Sequence, residues 1–403
     1  MADLLSLDEA SSADDRPTLR PQWRAFLSLG FRPLYLGGCA WAVVSIALWV
    51  FAPGWLVGNL GGLAWHAHEM LWGFVATIAV GFLFTAGANW TGVNPAGGAA
   101  LASLCLLWLI ARVGFLLPGT LPFVVAALAE SLFFLFSALA LALAVGRTRN
   151  RRNYGVPVLL AALGLADGLY LWASWQGETS DLMGYCHAGL LCMAAIALLI
   201  ARRVIPFFAM RAVPGLTLPS HTRSGQWQLA LVLAAVVCLV AGQSLAAALP
   251  LAVAGGLGAW QWLAWRPLAV RHQPLLWILY AGYAALSVGL MAAAAWSAGW
   301  IDRASWAIHL IGVAGFSVLI LGMTTRTALG HLGRPLRVDG LMLASFWALL
   351  GAAVLRLLAL VPGAPFPGLL HGAAGAWVLA FGLYLWRFAP WLVRPRADEA
   401  GRR

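Results

Sequence analysis

Five of the eight histidines stand at or near the start of long apolar runs: His66, His68, His187, His309 and His371. Neutral imidazole is the commonest side-chain ligand for transition metals, and histidines also hold haem iron. Five imidazoles at similar depth on four helices could therefore build one metal region. Residues two apart on a regular helix point about 200° apart, so His66 and His68 cannot both aim into it. One is expected as a ligand, the other as a supporting or surface group. Glu69 follows His66 by three residues, shares its face and could orient an imidazole through the second ring nitrogen. Gly73, Gly312 and Gly375 fall on the faces of His66, His309 and His371. A flat macrocycle could approach the backbone there, although helix packing through small residues uses glycine in the same way. Taken singly, each histidine also reads as an interfacial residue at a span end.

The elements that must position these groups are membrane helices. Of 403 residues, 62% are apolar and 10% charged, against about 25% charged in a soluble domain. That deficit excludes an ordinary soluble enzyme, a disordered chain and a coiled coil. Crossing the hydrocarbon core takes about 20 apolar residues. Runs of that kind fall near 31–53, 63–88, 98–117, 121–146, 155–175, 184–208, 226–247, 249–265, 274–297, 304–325, 340–361 and 368–392. The expected fold is an all-α polytopic membrane protein with twelve transmembrane helices over residues 23–395, flanked by a polar tail at 1–22 and a short basic one at 396–403. The boundary between the seventh and eighth helices is placed at Leu249-Pro250.

All 25 basic residues are arginine, and 22 of them fall on the side that twelve spans give to both termini. By the positive-inside rule that side is cytoplasmic. The formal charge of +11 is then a topology signal rather than a nucleic-acid footprint, and the five membrane-end histidines face the opposite side. His221, His272 and His331 fall in cytoplasmic loops. Residues 1–22 lack the order of a cleaved signal peptide. The five cysteines form no Cys-x-x-Cys pair, which disfavours a disulfide framework or zinc knuckle. Many of the 22 tryptophans sit near span ends as an interfacial belt. Within the spans, Asp167 and Arg356 could pair with each other or meet a substrate, and Arg112 and Glu130 could pair across the third and fourth helices. His187 and His371, each followed by Arg and Pro at the same spacings, hint at two parallel six-helix halves.

The segment Trp65-His66-Ala67-His68-Glu69-Met70 resembles a motif of the NnrS family. Four more segments agree in order: Phe31-Arg32-Pro33; Gly81-Phe82-Leu83 through Asn89-Trp90-Thr91-Gly92; Arg203-Val204-Ile205-Pro206-Phe207-Phe208; and Arg326-Thr327-Ala328-Leu329-Gly330-His331-Leu332-Gly333-Arg334. The likeness runs from about residue 25 to 395. Ala209 departs from it, since the family usually has Thr there. The resemblance implies a bacterial inner-membrane protein carrying haem b and copper, linked to nitric oxide and nitrosative stress. The metal candidates are His66, His68, His187, His309 and His371. Glu69, Arg326, His331 and Arg334 are further cofactor-binding candidates, His331 with its arginines as a region for haem propionates on the cytoplasmic side. The alternative is a secondary transporter of a small solute, for which Asp167, Arg356 and Glu130 are the candidate substrate groups.

Overall fold

The computed structural model describes residues 20–398. The tail expected at 1–22 therefore lies outside the described residues up to residue 19, as does the end of the chain from residue 399.

Among the described residues the chain is helical without strands, a polytopic all-α membrane protein. We label the apolar helices α1 (Phe31–Phe51), α2 (Gly62–Thr91), α3 (Gly98–Gly114), α4 (Thr120–Arg147), α5 (Gly155–Gln176), α6 (Thr179–Ala212), α7 (Thr222–Val240), α8 (Ser244–Ala264), α9 (Pro274–Ser297), α10 (Ser305–His331), α11 (Gly340–Leu358) and α12 (Phe366–Leu392). Eleven are long and apolar enough to cross a bilayer, and α3, with 17 residues, is the shorter twelfth. The α7–α8 boundary differs from expectation. The break is at Ala241-Gly242-Gln243, where Gly242 takes φ 72°, and Pro250 lies inside α8. Proline within a membrane helix is tolerated because neighbours re-satisfy the freed carbonyl. Pro206 is likewise absorbed within α6, which runs on to Ala212.

Helices α2 and α6 lie deepest. The most apolar stretch of α2 is 89% buried and that of α6 78%, against 22% for the peripheral α7. Inside this core α2 and α10 each open into a π-helical turn, at Glu69–Ala76 and Leu310–Ser317. The two turns touch each other, and α6 touches both. Each is closed by the same device. The Thr77 hydroxyl donates to the Trp72 carbonyl at 3.1 Å, and the Ser317 hydroxyl donates to the Gly312 carbonyl at 2.9 Å. Turns of this type recur at functional sites. The matched pair relates α2 to α10, an offset different from the half-chain spacing suggested by His187 and His371.

Close backbone approach needs glycine where α9 meets the second π turn. A Cβ on Gly282 would lie 2.9 Å from the Leu319 amide nitrogen and 3.1 Å from the Gly315 carbonyl oxygen. Gly282→Ala is therefore expected to push α9 off α10 and to cost about 1–3 kcal/mol, the usual range for overpacking. Thermal unfolding of the detergent-solubilised protein checks this, and an unchanged midpoint would contradict it. The circuit of helices is closed by α1 against α12. Trp377 Nε1 donates to the Ala42 carbonyl at 2.8 Å, and Arg32 Nη1 donates to the carbonyls of Leu392 and Arg394 at 2.9 and 2.6 Å.

Candidate functional site

The motif at the start of α2 serves two separate sites, as the 200° divergence of His66 and His68 requires. His66 faces a cavity of about 420 Å³ bounded by α1, α2, α6, α10, α11 and α12. His309 and Arg356 line the same cavity. The His66 ring stacks on Trp49, with centroids 4.8 Å apart and planes inclined by 9°, and its Nδ1 is buried without a hydrogen-bond partner. His309 Nδ1 lies 2.7 Å from the Ser305 carbonyl oxygen. That bond makes Nδ1 the donor and leaves the Nε2 lone pair unprotonated, the state in which imidazole binds metal. Arg356 Nη1 is buried without a partner. The remaining wall is mostly apolar, with Phe74, Phe316 and Trp377 among its side chains, and Met70, Met183 and Cys186 bring sulfur to it.

His68 turns the other way, into a fully buried ionic network. Its Nδ1 lies 3.0 Å from Glu69 Oε1, and its Nε2 lies 3.0 Å from Asp167 Oδ1 and 3.4 Å from Glu130 Oε2. Arg112 on α3 bridges Glu69 and Glu130. Trp41 Nε1 on α1 adds a hydrogen bond to Glu69 Oε2 at 2.5 Å. Five helices, α1 to α5, are thus tied through one knot of charge. Desolvated ions need close partners, and here the Arg112 guanidinium and the His68 ring are arranged among three carboxyl groups. The Arg112–Glu130 pair expected from the sequence is present. Asp167 pairs with His68 and not with Arg356, which lies on the cavity. Asp167 and Glu130, two of the three candidate substrate groups of a transporter, are thus joined in this network, and Arg356 is apart from them on the cavity.

The structure does not gather the five histidines. It brings His66 and His309 onto one cavity and places His68 in the network. His187 packs on Trp296 at 4.8 Å, and it is its neighbour Cys186 that reaches the cavity. His371 is exposed, its Nδ1 2.6 Å from the Pro367 carbonyl oxygen. Glu69 engages the adjacent His68 rather than His66. Gly73 departs from its expected face, because the wide turn over Glu69–Ala76 breaks the seven-residue spacing: its open side meets Glu69 and Arg112. Gly312 does share a cavity with His309, whereas Gly375 is not in that lining. Arg326 and His331 line a different cavity at the opposite ends of α2, α6 and α10. Arg334 stacks on Trp391, its guanidinium carbon 3.5 Å from the ring centroid. Sequence reasoning noticed Arg356 but had no way to place it beside His66 and His309. Trp49 was one tryptophan among 22, with nothing to single it out.

Among the described residues one group of three potential metal ligands lies within mutual reach: His68, Glu130 and Asp167. Two of its three donors are carboxylate oxygens, a poor match to copper, which favours imidazole and sulfur. The His66–His309 cavity fits haem better. It offers an imidazole with a free Nε2, an apolar enclosure and an unpartnered guanidinium for a carboxylate.

Fold and site together define a polytopic α-helical membrane protein with a histidine-bearing cavity between its inner helices. The chain belongs to the NnrS family: the family model described as NnrS protein matches residues 25–396. That membership makes it a membrane protein with a link to nitric oxide. Comparison with curated proteins gave no match.

Proposed function

We propose that this protein binds haem b in the His66–His309 cavity and uses it to bind nitric oxide or relieve nitrosative damage. The observation that carries this reading is the orientation of His309: its Nδ1 is committed to the Ser305 carbonyl, and its Nε2 is left free on an apolar cavity. Haem, when bound, supplies an iron position open to a diatomic ligand. His309 would hold the group through its free Nε2. His66, held flat against Trp49 with an unpartnered Nδ1, would offer that nitrogen to a small polar ligand in the same cavity. Arg356 would take a carboxylate of the group, a charge-assisted contact of the kind guanidinium makes best. The apolar walls exclude water. A smaller apolar cavity of about 90 Å³ shares Val75 and Phe316 with the first and gives an uncharged diatomic a place in the core. The ionic network begins two residues from His66 and holds the start of α2 in place.

Copper is the second cofactor in this proposal. Met70, Met183 and Cys186 on the same cavity would supply its soft donors. The arginine distribution supports a reading in which both termini lie on the cytoplasmic side of a bacterial inner membrane and the His66–His309 cavity lies toward the periplasm.

The test is optical. Protein purified after haem-replete expression should show a Soret band that shifts on adding nitric oxide. Colourless protein with no haem by pyridine extraction would sink the proposal.

A further inference from the structure

Three of the family-like segments are not used by the haem cavity, and they meet each other at the far ends of the inner helices. Asn89 and Trp90 end α2, Arg203 and Phe208 lie on α6, and Arg326 and His331 lie on α10. Together with Asn150, Arg152 and Asn153 of the α4–α5 turn they line a cavity of about 640 Å³. Three arginines and a histidine border it, and none of its lining side chains is acidic.

The cations are held in place by neutral groups. Arg203 Nη1 donates to Asn153 Oδ1 at 2.6 Å and Nη2 donates to the Arg152 carbonyl at 3.2 Å. Asn150 Nδ2 donates to the Trp90 carbonyl at 3.1 Å, fixing the turn that carries Arg152. The Arg326 guanidinium carbon lies 3.7 Å from the centroid of the Phe208 ring, which fixes its plane without neutralising its charge. Ordinary interfacial arginines snorkel outward. These converge on one concave space whose other wall is apolar, with Phe82, Val204 and Met323. Uncompensated guanidinium groups in a partly desolvated pocket favour an anion with several oxygens, which can take forked hydrogen bonds.

We propose that this cavity is a binding site for a phosphate-type oxyanion, recognised by Arg203 and Arg326 with Arg152 and His331 at its border. The phosphate can belong to an anionic phospholipid entering along the apolar wall or to a soluble phosphorylated compound. The site lies at the opposite end of the inner helices from His66 and His309 and does not depend on haem.

The experiment uses the full chain with two probes. Nanodiscs of phosphatidylglycerol and phosphatidylcholine test the lipid source by native mass spectrometry of retained lipid. Inorganic phosphate against chloride tests the soluble source by tryptophan fluorescence, for which Trp90 is the reporter in the wall, and by thermal midpoint. Preferential retention of phosphatidylglycerol supports a lipid phosphate, and a saturable response to inorganic phosphate supports a soluble one. In either case Arg203→Gln and Arg326→Gln should weaken binding about tenfold, the loss expected for one charge-assisted contact. Arg147→Gln and Arg271→Gln, which change exposed arginines outside the cavity, should leave it unchanged. Arg326→Gln should also leave the Soret band and haem content as they were, which separates this site from the proposed haem site. Wild-type protein that distinguishes neither phosphatidylglycerol from phosphatidylcholine nor phosphate from chloride overturns the proposal, and this arm needs no variant to fold. Equal losses in Arg147→Gln and Arg326→Gln overturn it as well, because binding would then follow general surface charge.

Discussion

His309→Ala is expected to yield folded protein with almost no haem, while His66→Ala retains haem and loses the normal spectral response to nitric oxide. The asymmetry follows from the two rings' surroundings. His309 has the carbonyl-bonded Nδ1 of a ligating imidazole, and removal of even an outer partner of a metal ligand costs roughly 10–100-fold in affinity. Loss of the ligand itself should exceed that. His66 has no hydrogen-bond partner at its Nδ1 and is packed by Trp49, so its removal is expected to open space and leave haem content as it was. His187→Ala and His371→Ala should leave haem content unchanged, since neither ring lines the cavity. Haem counted per protein by pyridine extraction, beside Soret spectra with and without nitric oxide, reads all four. Haem retained in His309→Ala and lost in His371→Ala would reverse the assignment.

Arg112→Ala is expected to be the most damaging single change to folding. Arg112 is 1% exposed, and it bridges Glu69 and Glu130 in a site that also holds the fully buried Asp167. Without it three carboxylates face one imidazole inside a membrane core. Breaking a buried ion pair from one side costs about 3–5 kcal/mol, most of it the charge left behind. Expression should fall sharply, and any protein recovered should unfold at a lower temperature. The triple change Arg112→Met with Glu69→Gln and Glu130→Gln removes the stranded charges together with the cation. It should recover much of the lost stability, as neutral replacements of buried ionic groups often do. A triple variant less stable than Arg112→Ala alone would show that the cluster contributes through something other than charge balance.

The helices were legible because each span is a long apolar run, and lipid admits little else for a backbone of that kind. α9, expected at 274–297, is found at Pro274–Ser297. At Pro250 the helix runs on, because a membrane helix tolerates proline, and the break falls at the glycine turn several residues earlier. The divergence of His66 and His68 was legible from helical geometry alone. Their partners were not, because each comes from another helix: Trp49 from α1, Asp167 from α5, His309 from α10 and Arg356 from α11. The π turns left no signature in composition, and they defeated the spacing argument at Gly73 while leaving Gly312 on the cavity. Five histidines on one side of the membrane suggested a single centre. Depth fixes only one coordinate, and rotation about each helix axis separated His187 and His371 from the other two.

The contacts of Arg32 have a consequence for the order of the chain. Its guanidinium grips the end of α12, and the Gln22 amide donates to the Val393 carbonyl at 2.9 Å. The first and last helices are neighbours in the same sense as any consecutive pair. The bundle is therefore a closed circuit in which the starting point is a convention of synthesis. A circular permutant with a short linker joining residue 22 to residue 394, opened in the segment 213–221 between α6 and α7, would keep the interhelical contacts that build the three cavities and the ionic knot.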